Sequence, residues 1–175
     1  VSAILKAFTS DGPMQGASTI TQQLVKLTLL SPERTIQRKV KEGLMSIALE
    51  AEYSKEQILE FYINKVYLGH GNYGVENASL NYFHKSTSDL TIAESAFIAG
   101  LIKKPEGYSP YVNLKKTRQR QLLVLRRMLT LGWINKEEYI AAANERLLIR
   151  DRRKGDLKIA PYFVSHVLQQ LKQDY

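Results

Sequence analysis

Three times along this chain a threonine or serine stands three residues ahead of a glutamine or glutamate at the head of an apolar run: Thr19 before Gln22, Ser54 before Gln57, Thr91 before Glu94. In such a box the hydroxyl accepts the N–H of the third residue on, and that residue's side chain accepts the N–H of the first. Donors that a helix start leaves unpaired are satisfied locally, so each box marks the beginning of a helix. Behind Thr19 the pattern predicts a helix to about residue 30, with Ile20, Leu24 and Leu27 turned inward. Ser31-Pro32 then offers an N-cap and a first-position proline for a longer helix. On it Ile36, Val40, Leu44, Ile47 and Ala51 recur at three- and four-residue steps, which predicts one buried stripe.

Ser54 heads a helix through Ile58, Leu59, Tyr62 and Ile63, and Thr91 heads another to about residue 102. Residues 114–131 and 136–144 read as two more helices with Gly132 near the break, after a turn-rich link that includes Ser109-Pro110. Residues 2–8 read as the end of a helix, followed by the breaker-rich loop 9–13. A charged linker at 150–155 precedes a proline-led amphipathic helix over 161–172. Three glycines within residues 69–74 require a loop there. The expectation is an all-α domain with a small β element near that second loop.

With 175 residues, 44% hydrophobic and 24% charged, the chain can bury a core and is not disordered as a whole. It has no cysteine, which excludes disulfides and thiolate metal sites. The net charge of +8 suits an anionic partner (nucleic acid, phospholipid headgroups or a phosphorylated substrate) and equally suits a solvated basic surface. No apolar run reaches the roughly 18–20 residues of a membrane span, and no secretory leader is visible. The opening VSAILKAF lacks Met and reads as mid-helix, as if taken from something longer.

Three constellations can carry chemistry. Ser18, Gln22, Gln23 and Lys26 lie at and behind the first box, where amides and an ammonium share one helix face and free N–H groups favour an anion. A capped surface helix with solvated glutamines fits the same spacing. Arg34, Arg38, Lys39 and Glu42 follow on the long helix. Arginines with a carboxylate one turn on can clamp a diphosphate, or form ordinary surface ion pairs. Lys55, Glu56, Tyr62, Asn64 and Tyr67 beside the glycine loop offer stacking faces and polar edges to a sugar, though the tyrosines equally fit a core with wet hydroxyls.

His70, His84 and His166 have no metal-ligand spacing, so a structural place is expected for them. No P-loop, dinucleotide fingerprint or nucleophile elbow is present. Arg118, Arg120, Arg126 and Arg127 lie on a helix whose predicted buried stripe is Leu122, Leu125 and Leu129. Aromatics are not interleaved with these charges, so nucleic acid is not the expected partner.

Taken together, these segments resemble a known family. GASTITQQ (16–23) is similar to Gly-x-Ser-Thr-Ile-Thr-Gln-Gln of peptidoglycan glycosyltransferases (family 51), and RKVKE (38–42) to the Arg-Lys-x-x-Glu that follows it. KEQILEFYIN (55–64) resembles Lys-x-x-Ile-Leu-x-x-Tyr-Leu-Asn, with Ile63 in place of leucine. RQLLVLRRM (120–128) resembles Arg-Arg-x-x-Val-Leu-x-x-Met, with Gln121 in place of the second arginine. The tail APYFVSHVLQQL (160–171) resembles the connection to a transpeptidase domain. Residues 1–150 are thus expected to be the glycosyltransferase domain of a class A, bifunctional penicillin-binding protein, and 151–175 the linker and start of that connection.

The resemblance implies a lysozyme-like helical lobe with a small membrane-associated jaw that would include residues 8–15. It implies lipid II and the nascent glycan chain as substrates, with inverting transfer and release of undecaprenyl diphosphate. It also implies a membrane surface at the extracytoplasmic face, a C-terminal transpeptidase domain and moenomycin-type inhibitors as partners. By motif, Glu42 is the second essential carboxylate. Lys26 and Arg38, with Arg34, would bind the diphosphate; Ser18, Gln22 and Gln23 would line the donor site; Tyr67 would approach a sugar or phosphate; Lys55 is carried over with them. No cofactor is required, and a divalent cation (Mg or Mn) is compatible although no metal cage is visible. The family's general base sits in a motif expected just upstream of Val1. The N-terminal part of the domain is therefore expected to be missing, and this fragment inactive alone. A lysozyme-like lytic transglycosylase or hydrolase, or a non-catalytic module binding glycan or lipid II, stays open beside this reading.

Overall fold

A computed structural model of the chain describes residues 18–28 and 35–150. The expected jaw loop, the Ser31-Pro32 start and everything after residue 150 lie outside the described residues. Within them run seven α-helices: α1 (Ile20–Thr28), α2 (Ile36–Glu52), α3 (Lys55–Lys65), α4 (Val75–Phe83), α5 (Ile92–Leu101), α6 (Pro110–Thr130) and α7 (Lys136–Asn144). A short 3-10 turn, Thr87–Asp89, lies between α4 and α5. The β element near the second loop is a single isolated bridge between Tyr67 and Tyr73. Among the described residues no helix is long and apolar enough to cross a membrane.

The helix starts follow the caps. Thr19 and Gln22 exchange backbone-to-side-chain bonds at 3.3 and 3.2 Å. Complete boxes stand at Ser54–Gln57 and Thr91–Glu94, and another at Asn135–Glu138. For α2 the described cap is Thr35, whose hydroxyl accepts the Arg38 N–H at 3.1 Å. Helix α6 begins before the expected residue 114. Ser109 caps it with proline in the first turn, and the chain kinks at Asn113, whose side chain caps it a second time through the Lys116 N–H at 3.0 Å. The sequence reading missed α4, although Ala78, Ser79, Tyr82 and Phe83 bury one face of it. Its two asparagines and short length hid that periodicity.

Helix α5 is the centre of the lobe. Ala93, Ala96, Phe97, Ile98, Gly100 and Leu101 are all buried, so it is covered on nearly every side. On one flank Phe97 meets Tyr82 and Phe83 edge-on, with ring centroids 5.4 and 5.2 Å apart. On the other, Ala93 and Ala96 pack with Leu125 of α6, with Ile134 just before α7 and with Ala142 of α7. Small residues let α6 come close: a Cβ on Gly100 would stand 3.2 Å from Cγ of Arg120. Gln121, where the resembled motif has arginine, is buried and donates to the Ala93 carbonyl at 2.6 Å. It thereby ties α6 to the start of α5.

Two expectations about faces are corrected. The stripe Ile36, Val40, Leu44, Ile47 of α2 is exposed, from 57% at Val40 to 84% at Ile36, and Ala51 is exposed with it. The residues α2 buries are Glu42 and Ser46. On α1, Ile20 and Leu27 are likewise exposed, and the inward face is Thr21, Leu24 and Val25. The two corrections have different causes. On α2, bonds from Lys39 to Ser18 and from Thr21 to Glu50 turn the polar stripe toward α1. On α1, Leu24 packs into the core with Ile58 and Tyr62 of α3.

Candidate functional site

The start of α1 and the residues just before it lie against α2, and polar side chains make the junction. The Lys39 ammonium donates to Oγ of Ser18 at 3.1 Å and to Oε1 of Glu42. Glu42 is only 2% exposed, while the Lys39 side chain is 53% exposed. Its buried carboxylate is therefore paired to a cation that reaches it from solvent. About two turns beyond Glu42 on α2, Glu50 accepts the Thr21 hydroxyl at 2.6 Å. The Ser46 hydroxyl bonds the Glu42 carbonyl at 2.6 Å, which satisfies that buried polar group within α2.

A second junction links α1 to α3. The buried Tyr62 donates its hydroxyl to Oε1 of Gln23 at 3.1 Å, and Gln23 Nε2 donates to the Ser18 carbonyl at 3.4 Å. Burial holds the Tyr62 phenol above its ordinary pKa, so it stays a donor. Tyr62 is thus a core ring with a working hydroxyl, and Gln23 is fixed between it and the start of α1. Gln22 turns back to cap α1 instead of reaching across.

Arg38 is half-buried one turn before Glu42, and its Nε is buried without a hydrogen-bond partner among the described residues. A buried guanidinium nitrogen left unpaired is costly and marks a place where an anion would be stabilised. Lys26 is exposed near the end of α1. Ser18, Gln23, Arg38, Lys39 and Glu42 therefore gather around the α1–α2–α3 junction. Arg34 lies outside the described residues. Lys55 is exposed in the first turn of α3, roughly 10 Å along the axis from Tyr62. Tyr67 follows the opposite end of that helix, the end beside Gln23.

Tyr67 opens a tight loop whose backbone is left-handed at Gly69, His70 and Gly71. At Gly69 a Cβ would meet the Pro105 carbonyl at 3.1 Å, and at Gly74 the Asn64 carbonyl at 2.7 Å, so side chains are excluded there. The loop is anchored to the α5–α6 turn. Tyr67 donates its hydroxyl to Oε1 of Glu106, the His70 N–H donates to the same oxygen at 3.0 Å, and the His70 ring bonds the buried Ser109 hydroxyl. His70 thus has a structural place, as expected, in a network with Glu106 and Ser109 that the sequence reading did not find. The partners are 36 and 39 positions away, so only the fold could reveal it. By contrast the Lys39–Glu42 pair is local, at i,i+3 spacing, within the group Arg34, Arg38, Lys39 and Glu42 that the sequence marks. Among the described residues no three His, Asp or Glu side chains converge as metal ligands.

A sequence model of the transglycosylase family matches residues 1–129. The chain belongs to that family, and its class is that of the glycosyltransferases of peptidoglycan synthesis. Among its relatives, penicillin-binding protein 1A of Aquifex aeolicus is 44% identical over 154 residues, covering 88% of this chain and 21% of that protein. Penicillin-binding protein 1A of Haemophilus influenzae is 46% identical over 143 residues, covering 82% and 17%. The crystal structure of the Haemophilus influenzae protein superposes with a TM-score of 0.57 at 32% identity, over 89% of this chain and 20% of that one. The chain spans about a fifth of the length of these relatives.

Proposed function

We propose that this chain is the glycan-polymerising domain of a class A penicillin-binding protein, working on lipid II at the outer face of the cytoplasmic membrane. The 4-hydroxyl oxygen of an incoming lipid II bonds to the anomeric carbon of the growing chain's lipid-linked sugar. The carbon–oxygen bond to the diphosphate breaks, the lipid diphosphate leaves with the electron pair, and the anomeric centre inverts. The hydroxyl proton goes to a general base, which the resemblance assigns to a glutamate preceding Val1. Inversion needs that base on one side of the ring and stabilisation of the leaving group on the other.

The observation that carries the reading is the buried Glu42, paired to Lys39 beside an Arg38 whose Nε has no partner among the described residues. Arg38 and Lys39 beside Glu42 suit a diphosphate, and Lys26 and Arg34 are proposed to join them. Ser18, Gln22 and Gln23 would line the donor site, Tyr67 would approach a sugar or phosphate, and Lys55 would act from the far end of α3. A divalent cation (Mg or Mn) would bind through the diphosphate oxygens of the substrate. A moenomycin-type phosphoglycolipid would compete for the same cations, and the parent chain would add a transpeptidase domain.

The test is product analysis with lipid II and the full-length parent protein. Polymer plus released lipid diphosphate is expected, and Glu42→Gln should lower turnover by about 10³-fold while the melting temperature is kept. Cleaved glycan or anhydro-sugar ends would make it a lytic enzyme instead, and near wild-type turnover in Glu42→Gln would remove that carboxylate from the mechanism.

A further inference from the structure

Tyr67 carries one hydroxyl proton and two lone pairs, and the structure accounts for most of them. The proton goes to Oε1 of Glu106, and the Gly71 N–H points at the hydroxyl oxygen from 3.4 Å. The bond to Glu106 also holds the phenol above its ordinary pKa, so the proton stays on the oxygen. Glu106 is itself fixed. Its Oε1 accepts the His70 N–H at 3.0 Å, and its Oε2 lies 3.8 Å from the His70 ring nitrogen. His70 sits at φ 52°, a backbone state that costs a non-glycine residue energy and persists only where surroundings enforce it. Glu106 and the buried Ser109 supply that enforcement from the α5–α6 turn.

We propose that Glu106 is a positioning residue that sets the polarity of Tyr67: with its proton given to Glu106, the hydroxyl offers the substrate an acceptor and no donor. A phosphate oxygen at neutral pH is itself an acceptor and gains nothing from such a group. A sugar hydroxyl or an acetamido N–H can donate to it. Tyr67 therefore reads the saccharide, not the diphosphate. The adjacent Tyr73 ring, 60% exposed with its centroid 4.9 Å from that of Tyr67, supplies an apolar face suited to the same ligand. The proposal rests on the reading that this chain binds a sugar-bearing lipid diphosphate, and it narrows which part of that substrate the loop touches.

The experiment compares two probes on the full-length enzyme: farnesyl diphosphate, which has no sugar, and a disaccharide-bearing lipid diphosphate. Tyr67→Phe and Glu106→Ala should each weaken the disaccharide probe roughly fivefold to tenfold and leave farnesyl diphosphate within about twofold. Glu106→Gln keeps an acceptor oxygen and should restore wild-type affinity. The double variant should be no weaker than either single one, because both remove the same contact. Equal loss on both probes, additive losses, or a silent Glu106→Ala beside a damaging Tyr67→Phe would each overturn the proposal. Wild-type protein that binds neither probe would overturn the functional reading, and this proposal with it.

Discussion

The α1–α2 junction and the lobe around α5 are built on opposite plans. Around α5 the interior is aromatic and aliphatic: Tyr82, Phe97, Leu68 and Leu101 are among its fully buried side chains. At the α1–α2 junction the buried side chains of α2 are Glu42 and Ser46, and its apolar stripe faces outward. A buried hydrocarbon face stabilises wherever it packs, whereas a buried carboxylate needs a partner placed within hydrogen-bond reach. The difference teaches where each property resides. The lobe holds the fold, and the junction holds chemically useful groups in a fixed arrangement at some cost to stability.

That comparison can be broken in three places. The largest effect should come from the lobe: Phe97→Ala removes a ring packed between Tyr82 and Phe83 and should cost about 3–5 kcal/mol in a denaturant titration. A loss near zero would mean that α5 is not the stabilising centre. Next comes Arg38→Ala, which should weaken a diphosphate-bearing mimic by about 2–5 kcal/mol in calorimetry, with little change in melting temperature. Unchanged affinity would return Arg38 to the role of a solvated surface cation. The smallest effect sharpens the corrected face of α2. Leu44→Gln should shift unfolding by less than about 0.5 kcal/mol, because the side chain is 63% exposed. A loss of about 2 kcal/mol or more would place Leu44 in a core after all.

Much of the fold was legible because its signals are local. Thr19, Ser54 and Thr91 begin helices through bonds that close within three residues. The glycine loop was legible too, since its left-handed positions at Gly69, Gly71 and Gly74 leave few other residues able to stand there. Helix α4 was not read, because nine residues with two asparagines give a weak periodic signal. In the site, Glu42 and Arg38 were singled out by motif, and the structure puts both at the α1–α2 junction. Lys55 was singled out the same way, and the fold sets it at the other end of α3 from Tyr62.

The sequence by itself determined where the capped helices α1, α3 and α5 start, that the chain would be helical, and which residues its family motifs mark. Only the tertiary structure decided which stripe of α2 turns inward, that Lys39 reaches Ser18 as well as Glu42, and that Glu106 holds Tyr67. A cap bond spans three positions, whereas the Lys39–Ser18 and Tyr67–Glu106 bonds span 21 and 39. Periodicity supplies two faces for every amphipathic helix. Which one is buried depends on the partner that arrives, and that partner is chosen by packing across the whole chain.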